Sequence, residues 1–126
     1  MFPLPAWVAA ALLFAAAPAG AEEAGAPPAE STRSVKLPAN EFQEECMQLA
    51  AGQRLGYSFH AAAPLDFNLH YHRDGKILYP VLKKGIAKVA GSFTSPRNDG
   101  YCLMWRNPGN SAVALEYRFG TAVADK

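Results

Sequence analysis

Between Leu55 and Phe119 the apolar side chains fall on every second residue. Leu55, Tyr57 and Phe59 alternate with Gly56, Ser58 and His60; Leu65, Phe67, Leu69 and Tyr71 alternate with Asp66, Asn68, His70 and His72. A period of two puts one set of side chains on one side of an extended strand and does not match the 3.6 of a helix. The pattern resumes as Ile77, Tyr79 and Val81 after Asp74-Gly75, and as Val89, Gly91 and Phe93 after Lys84-Gly85. It continues as Tyr101, Leu103 and Trp105 after Asn98-Asp99-Gly100, and as Val113, Leu115, Tyr117 and Phe119 after Pro108-Gly109-Asn110. Turn signals about every ten residues predict an all-β domain, an antiparallel β-sandwich of jelly-roll type with about eight short strands. Val35–Leu37 and Phe42–Leu49 are read as the two earliest strands, with one or two helical turns as the alternative for the second. The apolar faces, Ile77 and Tyr79 included, are read as core. Pro80 donates no backbone N–H, so its strand is expected at an edge or at a bulge.

The remainder of the chain divides by composition. Residues 1–21 carry no charged side chain and hold an apolar run bracketed by Pro3, Pro5 and Pro18, closing on Ala19-Gly20-Ala21. This is the pattern of a secretory signal peptide cleaved before Glu22; the alternative is an uncleaved anchor, for which the run is shorter than the ~20 residues of a spanning helix. Residues 22–32, rich in Ala, Pro and Glu, are read as a disordered spacer. The β domain then occupies 33–120 and a short tail 121–126. The location expected is periplasmic or secreted, with no stable membrane insertion after cleavage. With 12 Lys and Arg against 11 Asp and Glu the net charge is +1, which excludes the basic stripe of a nucleic-acid partner. Lys83, Lys84 and Lys88 form a small basic cluster, either a contact for an acidic group or a charged edge that blocks sheet-to-sheet pairing.

Two cysteines, Cys46 and Cys102, follow the signal. In an exported chain such a pair is most simply a disulfide, closing a loop worth roughly 4 kcal/mol by chain entropy; two buried thiols are the alternative.

The segment Gly100–Phe119, GYCLMWRNPGNSAVALEYRF, resembles the closing strands of the GOLD domain, the β-sandwich module of Golgi-dynamics proteins and p24-type cargo receptors. The matching positions are Gly100, Tyr101, Leu103, Trp105, Asn107, Leu115 and Tyr117. Upstream, Cys46–Tyr79 is similar to the family's opening, with a Cys, then a Gly ahead of an alternating strand. The resemblance implies a β-sandwich and a habit of binding protein or lipid. Two features depart from it. The family's second cysteine would fall at Met104, whereas here it is Cys102, two residues earlier on the same strand face. The family's transmembrane helix and coiled coil do not follow in this chain, so the coat-recruiting function is not carried over.

The most distinctive polar feature is the row Asp66, Asn68, His70, His72. Alternate residues of a strand share a face, so the two histidines are rooted roughly 6.6 Å apart, a spacing that suits zinc or copper. His60 is the third histidine, and Met47, Met104 or a reduced cysteine offers soft ligands. If Ala61–Pro64 is a tight hairpin, Gly56 faces His70. The side-chain-free position then opens a shallow hollow lined by His70, His72, Asn68 and Ser58, fit for a small polar ligand. No G-x-S-x-G elbow, H-E-x-x-H helix or glycine-rich phosphate loop is present. Glu44 and Glu45, as neighbours on a strand, point to opposite faces. The expectation is a non-catalytic exported module that needs no cofactor and binds a protein or a small or lipidic ligand. The second reading is a periplasmic copper or zinc protein using His70 and His72, with His60 as a more remote candidate.

Overall fold

A computed structural model describes residues 29–123. The proposed signal peptide, the first part of the spacer and the end of the tail lie outside the described residues. Six strands are present among the described residues: β1 (Ala29–Leu37), β2 (Phe42–Leu49), β3 (Gln53–Arg73), β4 (Lys76–Thr94), β5 (Asp99–Arg106) and β6 (Val113–Val123). The all-β expectation holds, but six strands in one curled sheet stand where a sandwich of about eight strands was expected. The segments beginning at Leu55 and Leu65 are one strand, β3, and those beginning at Ile77 and Val89 are one strand, β4. β1 also begins inside the presumed spacer, because residues 29–32 pair with Arg118–Thr121 of β6; strand β6 in turn runs past residue 120. No helix of the described residues is long and apolar enough to cross a membrane.

All six strands belong to one antiparallel sheet. β4 runs along one edge of β3. On the other edge β6 lies beside residues 53–61 and β5 beside residues 66–70. β1 continues outward from β6, and β2 from β5. β3 and β4 therefore cross the whole sheet, while β6 with β1 and β5 with β2 each cover half of it. Near its middle the sheet curls over into a half-barrel.

The crease has identifiable causes. β3 advances from His60 to Leu65 while β4 advances only from Lys88 to Ile86, so the Ala61–Pro64 stretch bulges instead of turning back. Gly85, expected in a turn, sits in β4 with φ of 65°, and its N–H donates to the Asp66 carboxylate at 3.0 Å. That bond satisfies a donor the disrupted ladder cannot. Asp74 and Gly75, both with positive φ, make the two-residue turn between Arg73 and Lys76, as Asp-Gly pairs do between antiparallel strands.

Asn107 pins the crease on the other side. It is 1% exposed, and its Nδ2 donates to the carbonyls of Leu37, Pro38 and Ser111 while its Oδ1 accepts from Gly109 N–H. Its backbone N–H and C=O bond to Glu41 and Asn40. One side chain thus ties the β1–β2 connection to the β5–β6 connection.

Odd-numbered side chains of β3 fill the concave side. Leu55, Tyr57, Phe59, Leu65, Phe67 and Leu69 are buried with Tyr101, Leu103, Trp105, Leu115 and Tyr117. Aromatic contacts join the two halves: Tyr57 to Phe67 at 5.4 Å, Phe59 to Trp105 at 5.9 Å, Phe93 to Tyr101 at 5.0 Å and Trp105 to Tyr117 at 4.2 Å. Such pairs are worth about 0.5–1.5 kcal/mol each beyond burial. The Tyr117 hydroxyl donates to Glu45 Oε1 at 2.7 Å and accepts from Gln43 at 2.8 Å. Burial and the Glu45 carboxylate push its pKa up to about 12.

Candidate functional site

If odd positions of β3 face the core, even positions face outward, and cross-strand partners share that face. The register therefore orders the outer surface of the half built on β2, β5 and the second part of β3. One row is Cys46, Cys102 and His70. The next is Glu44, Met104, Asn68 and Leu82. Phe42, Arg106 and Asp66 flank it on one side, and His72 faces Ile77 on the other.

Cys46 and Cys102 are directly opposed, with Cα atoms 4.0 Å apart, and are joined as a disulfide. Cys46 is exposed because β2 is an outer strand. Met104, where the GOLD pattern would place its cysteine, faces Glu44 and Asn68.

His70 is 5% exposed although it points outward. Tyr79 and His72 stand against it with ring centres at 5.9 and 5.4 Å. Its Nδ1 lies 2.7 Å from Asn68 Oδ1 and its Nε2 lies 3.4 Å from Glu44 Oε2. Burial lowers the imidazole pKa below its ordinary value; Glu44 opposes that and His72 adds to it. Glu45, as expected of a sequence neighbour, points the other way, to Tyr117 and to Arg33 at 3.4 Å.

The structure thus brings Asn68, His70 and His72 together but not Gly56 or His60. Because Ala61–Pro64 is a bulge and not a hairpin, Gly56 lies at the far end of β3 from His70, opposite Ser92 and Gly120. A hollow of about 270 Å³ does open there, lined by Arg54, Ser58 and Arg118 among others, but by no histidine. His60 sits between Lys88 and Glu116, remote from the other two.

Two further corrections concern β4. Ile77 and Tyr79, expected in the core, are 47% and 48% exposed, and Leu82 is 56% exposed. The register shift between Leu69 and Tyr71 falls opposite Pro80 and breaks the alternation. Val81 therefore turns inward against Leu69, while Ile77 and Tyr79 stay on the outer face. Pro80 was the visible signal, and both features anticipated for it, an edge strand and a bulge, are present. Glu44 was not anticipated at the site. Its place two residues from Cys46, on the same face of the strand, was the available clue.

No family model matches the chain, and no curated protein matches it. Solved structures with the same kind of sheet do. The mitogen YPM of Yersinia pseudotuberculosis is 13% identical, with a TM-score of 0.52 over 79% of this chain and 90% of its own. PliG of Aeromonas hydrophila, a periplasmic inhibitor of g-type lysozyme, is 13% identical, with a TM-score of 0.51 over the same shares. At this identity the likeness is one of fold.

Proposed function

We propose that this chain is an exported, non-catalytic module that binds a protein through the outer face around His70. The carrying observation is the exposed apolar group Ile77, Tyr79 and Leu82 on β4, with exposed Phe42 of β2 on the same outer face. Exposed aromatic and aliphatic side chains gathered around a buried polar centre resemble the anchors of a protein interface.

Three further observations support the reading. The disulfide belongs to an oxidising compartment, in line with the signal-like leader. The GOLD-type resemblance implies a binding module. PliG, of similar fold, is by its name an inhibitor of a protein.

Quantitative recovery of envelope proteins on immobilised bait tests the proposal. One partner is expected with the wild type and with Ser92→Asp, which alters the other half of β4. At least about tenfold less is expected with Tyr79→Ser/Leu82→Asp, the loss of an interface anchor. Equal recovery on all three baits would reject the surface.

A further inference from the structure

His70 presents an unusual contact. Its Nδ1 is 2.7 Å from Asn68 Oδ1. An amide oxygen only accepts, so Nδ1 carries the proton and Nε2 keeps the lone pair. Nε2 faces Glu44 Oε2 at 3.4 Å, which is a second acceptor. In the neutral histidine no hydrogen lies between these two atoms, and a cation is what the pair lacks. A third donor atom closes the gap, since ligand atoms of Glu44, His70 and Cys102 all lie within 4.8 Å of one another. Cys46 Sγ, bonded to Cys102, lies outside that group and would join it as the fourth ligand only once the bridge opens.

We propose that the dithiol form of this protein is a zinc protein, with Zn²⁺ held by Glu44, Cys46, His70 and Cys102 and released when the disulfide forms. The inference is independent of the protein-binding reading. It also names a different ligand set from the His70–His72 pair, because His72 meets His70 ring against ring and is not among the clustered ligand atoms.

The geometry suits a tetrahedral ion. Bonds of about 2.0–2.1 Å to nitrogen and oxygen place those two atoms about 3.3 Å apart, close to the spacing already present between His70 and Glu44. Two thiolates, an imidazole and a carboxylate form a set that selects zinc over magnesium or calcium. Asn68 would act from behind, orienting the imidazole through Nδ1 as second partners of metal-bound histidines do.

The chemistry balances with a dithiol reductant. One of its thiolates attacks Cys46 Sγ, the exposed end of the bridge, and the Cys46–Cys102 bond breaks to release the Cys102 thiolate beside His70. The second reductant thiol then closes on the mixed disulfide and frees Cys46. The protein has gained two electrons and two protons, and the dithiol has become a disulfide. Zn²⁺ displaces the two thiol protons to solvent. In the bridged form neither sulfur is a thiolate, so only His70 and Glu44 remain as ligands.

The test is zinc competition against a chromogenic chelator, using the chain from Glu22 in bridged and phosphine-reduced forms. The reduced chain is expected to take one Zn²⁺ at least about 100-fold more tightly than the bridged chain. Cys102→Ser should abolish that gain, and Glu44→Gln and His70→Ala should each weaken binding about tenfold or more. Co²⁺ in place of zinc should give thiolate charge-transfer bands in the reduced chain alone. Equal affinity of the two forms would overturn the proposal. So would a reduced chain whose affinity ignores both Glu44→Gln and His70→Ala, since that would be zinc held by cysteines outside the folded site. Affinity lost with His72→Ala but retained with Glu44→Gln would also reject it and return the metal to the His-x-His pair.

Discussion

At the scale of single residues, His70 departs furthest from what its position on the strand suggests. It points outward yet is almost fully covered, and that burial lowers its pKa. In the unfolded chain an imidazole titrates near 6.5. Between the lowered native value and about 6.5 the unfolded chain holds a proton that the native protein refuses. Stability is therefore complete above this window and falls as pH drops through it. The melting temperature of the bridged, metal-free protein should decline on acidification below about pH 6.5, and His70→Gln, which does not titrate, should remove that part of the decline. Superimposable pH profiles for the two proteins would show that His70 is not held neutral. The charged and titratable groups facing it are Glu44, His72 and Tyr79.

At the scale of elements, the crease sets which side chains share a surface. Asn107 makes four side-chain hydrogen bonds at the point where two connections meet. Asn107→Ala leaves the buried Leu37 carbonyl and the part-buried Pro38 and Ser111 carbonyls without this donor and should cost about 1–3 kcal/mol in urea unfolding. A loss below about 1 kcal/mol would mean that the connections hold without it. The strands offer a second, paired test at two glycines. A Cβ at Gly91 would stand 2.7 Å from the Tyr57 hydroxyl and 2.9 Å from its ring, whereas one at Gly56 would meet only Gly120 O at 3.8 Å. Gly91→Ala should therefore destabilise by about 1–3 kcal/mol through overpacking and Gly56→Ala should be close to neutral. The reverse order would contradict the packing described for Tyr57.

What the sequence shows at this scale is the set of pleated faces. Leu55, Tyr57, Phe59, Leu65, Phe67 and Leu69 alternate in the sequence and are buried in the structure. It does not show continuity. Ala61–Pro64 interrupts the alternation and can be read as a hairpin loop, and only the bulge against Lys88–Ile86, a long-range pairing, makes it a bend in one long strand. That single difference separates Gly56 from His70. The second mismatch, at Ile77 and Tyr79, has the same origin, because a bulge at Pro80 shifts alternation by one residue and exchanges the two faces. In the sequence Asn107 stands only as one position of a family-like pattern, because two of the three carbonyls it binds lie about seventy positions away in the chain.

At the scale of the whole molecule, one sheet curls around an aromatic core and leaves its two outer halves unlike each other. The half carrying β1 and β6 presents small and charged side chains about Gly56 and Gly120. The half carrying β2 and β5 presents the disulfide, the covered His70 and the exposed apolar side chains of β4. This asymmetry is the basis for assigning the binding surface to the second half. The direct measurement is photo-crosslinking in the intact envelope, with a photoreactive side chain placed in turn at positions 79, 82 and 92 of β4. All three are exposed on the same strand, and only the first two belong to the apolar group. One discrete protein adduct is expected from positions 79 and 82 and none from position 92. Adducts of equal yield from all three, or the strongest from position 92, would contradict the assignment.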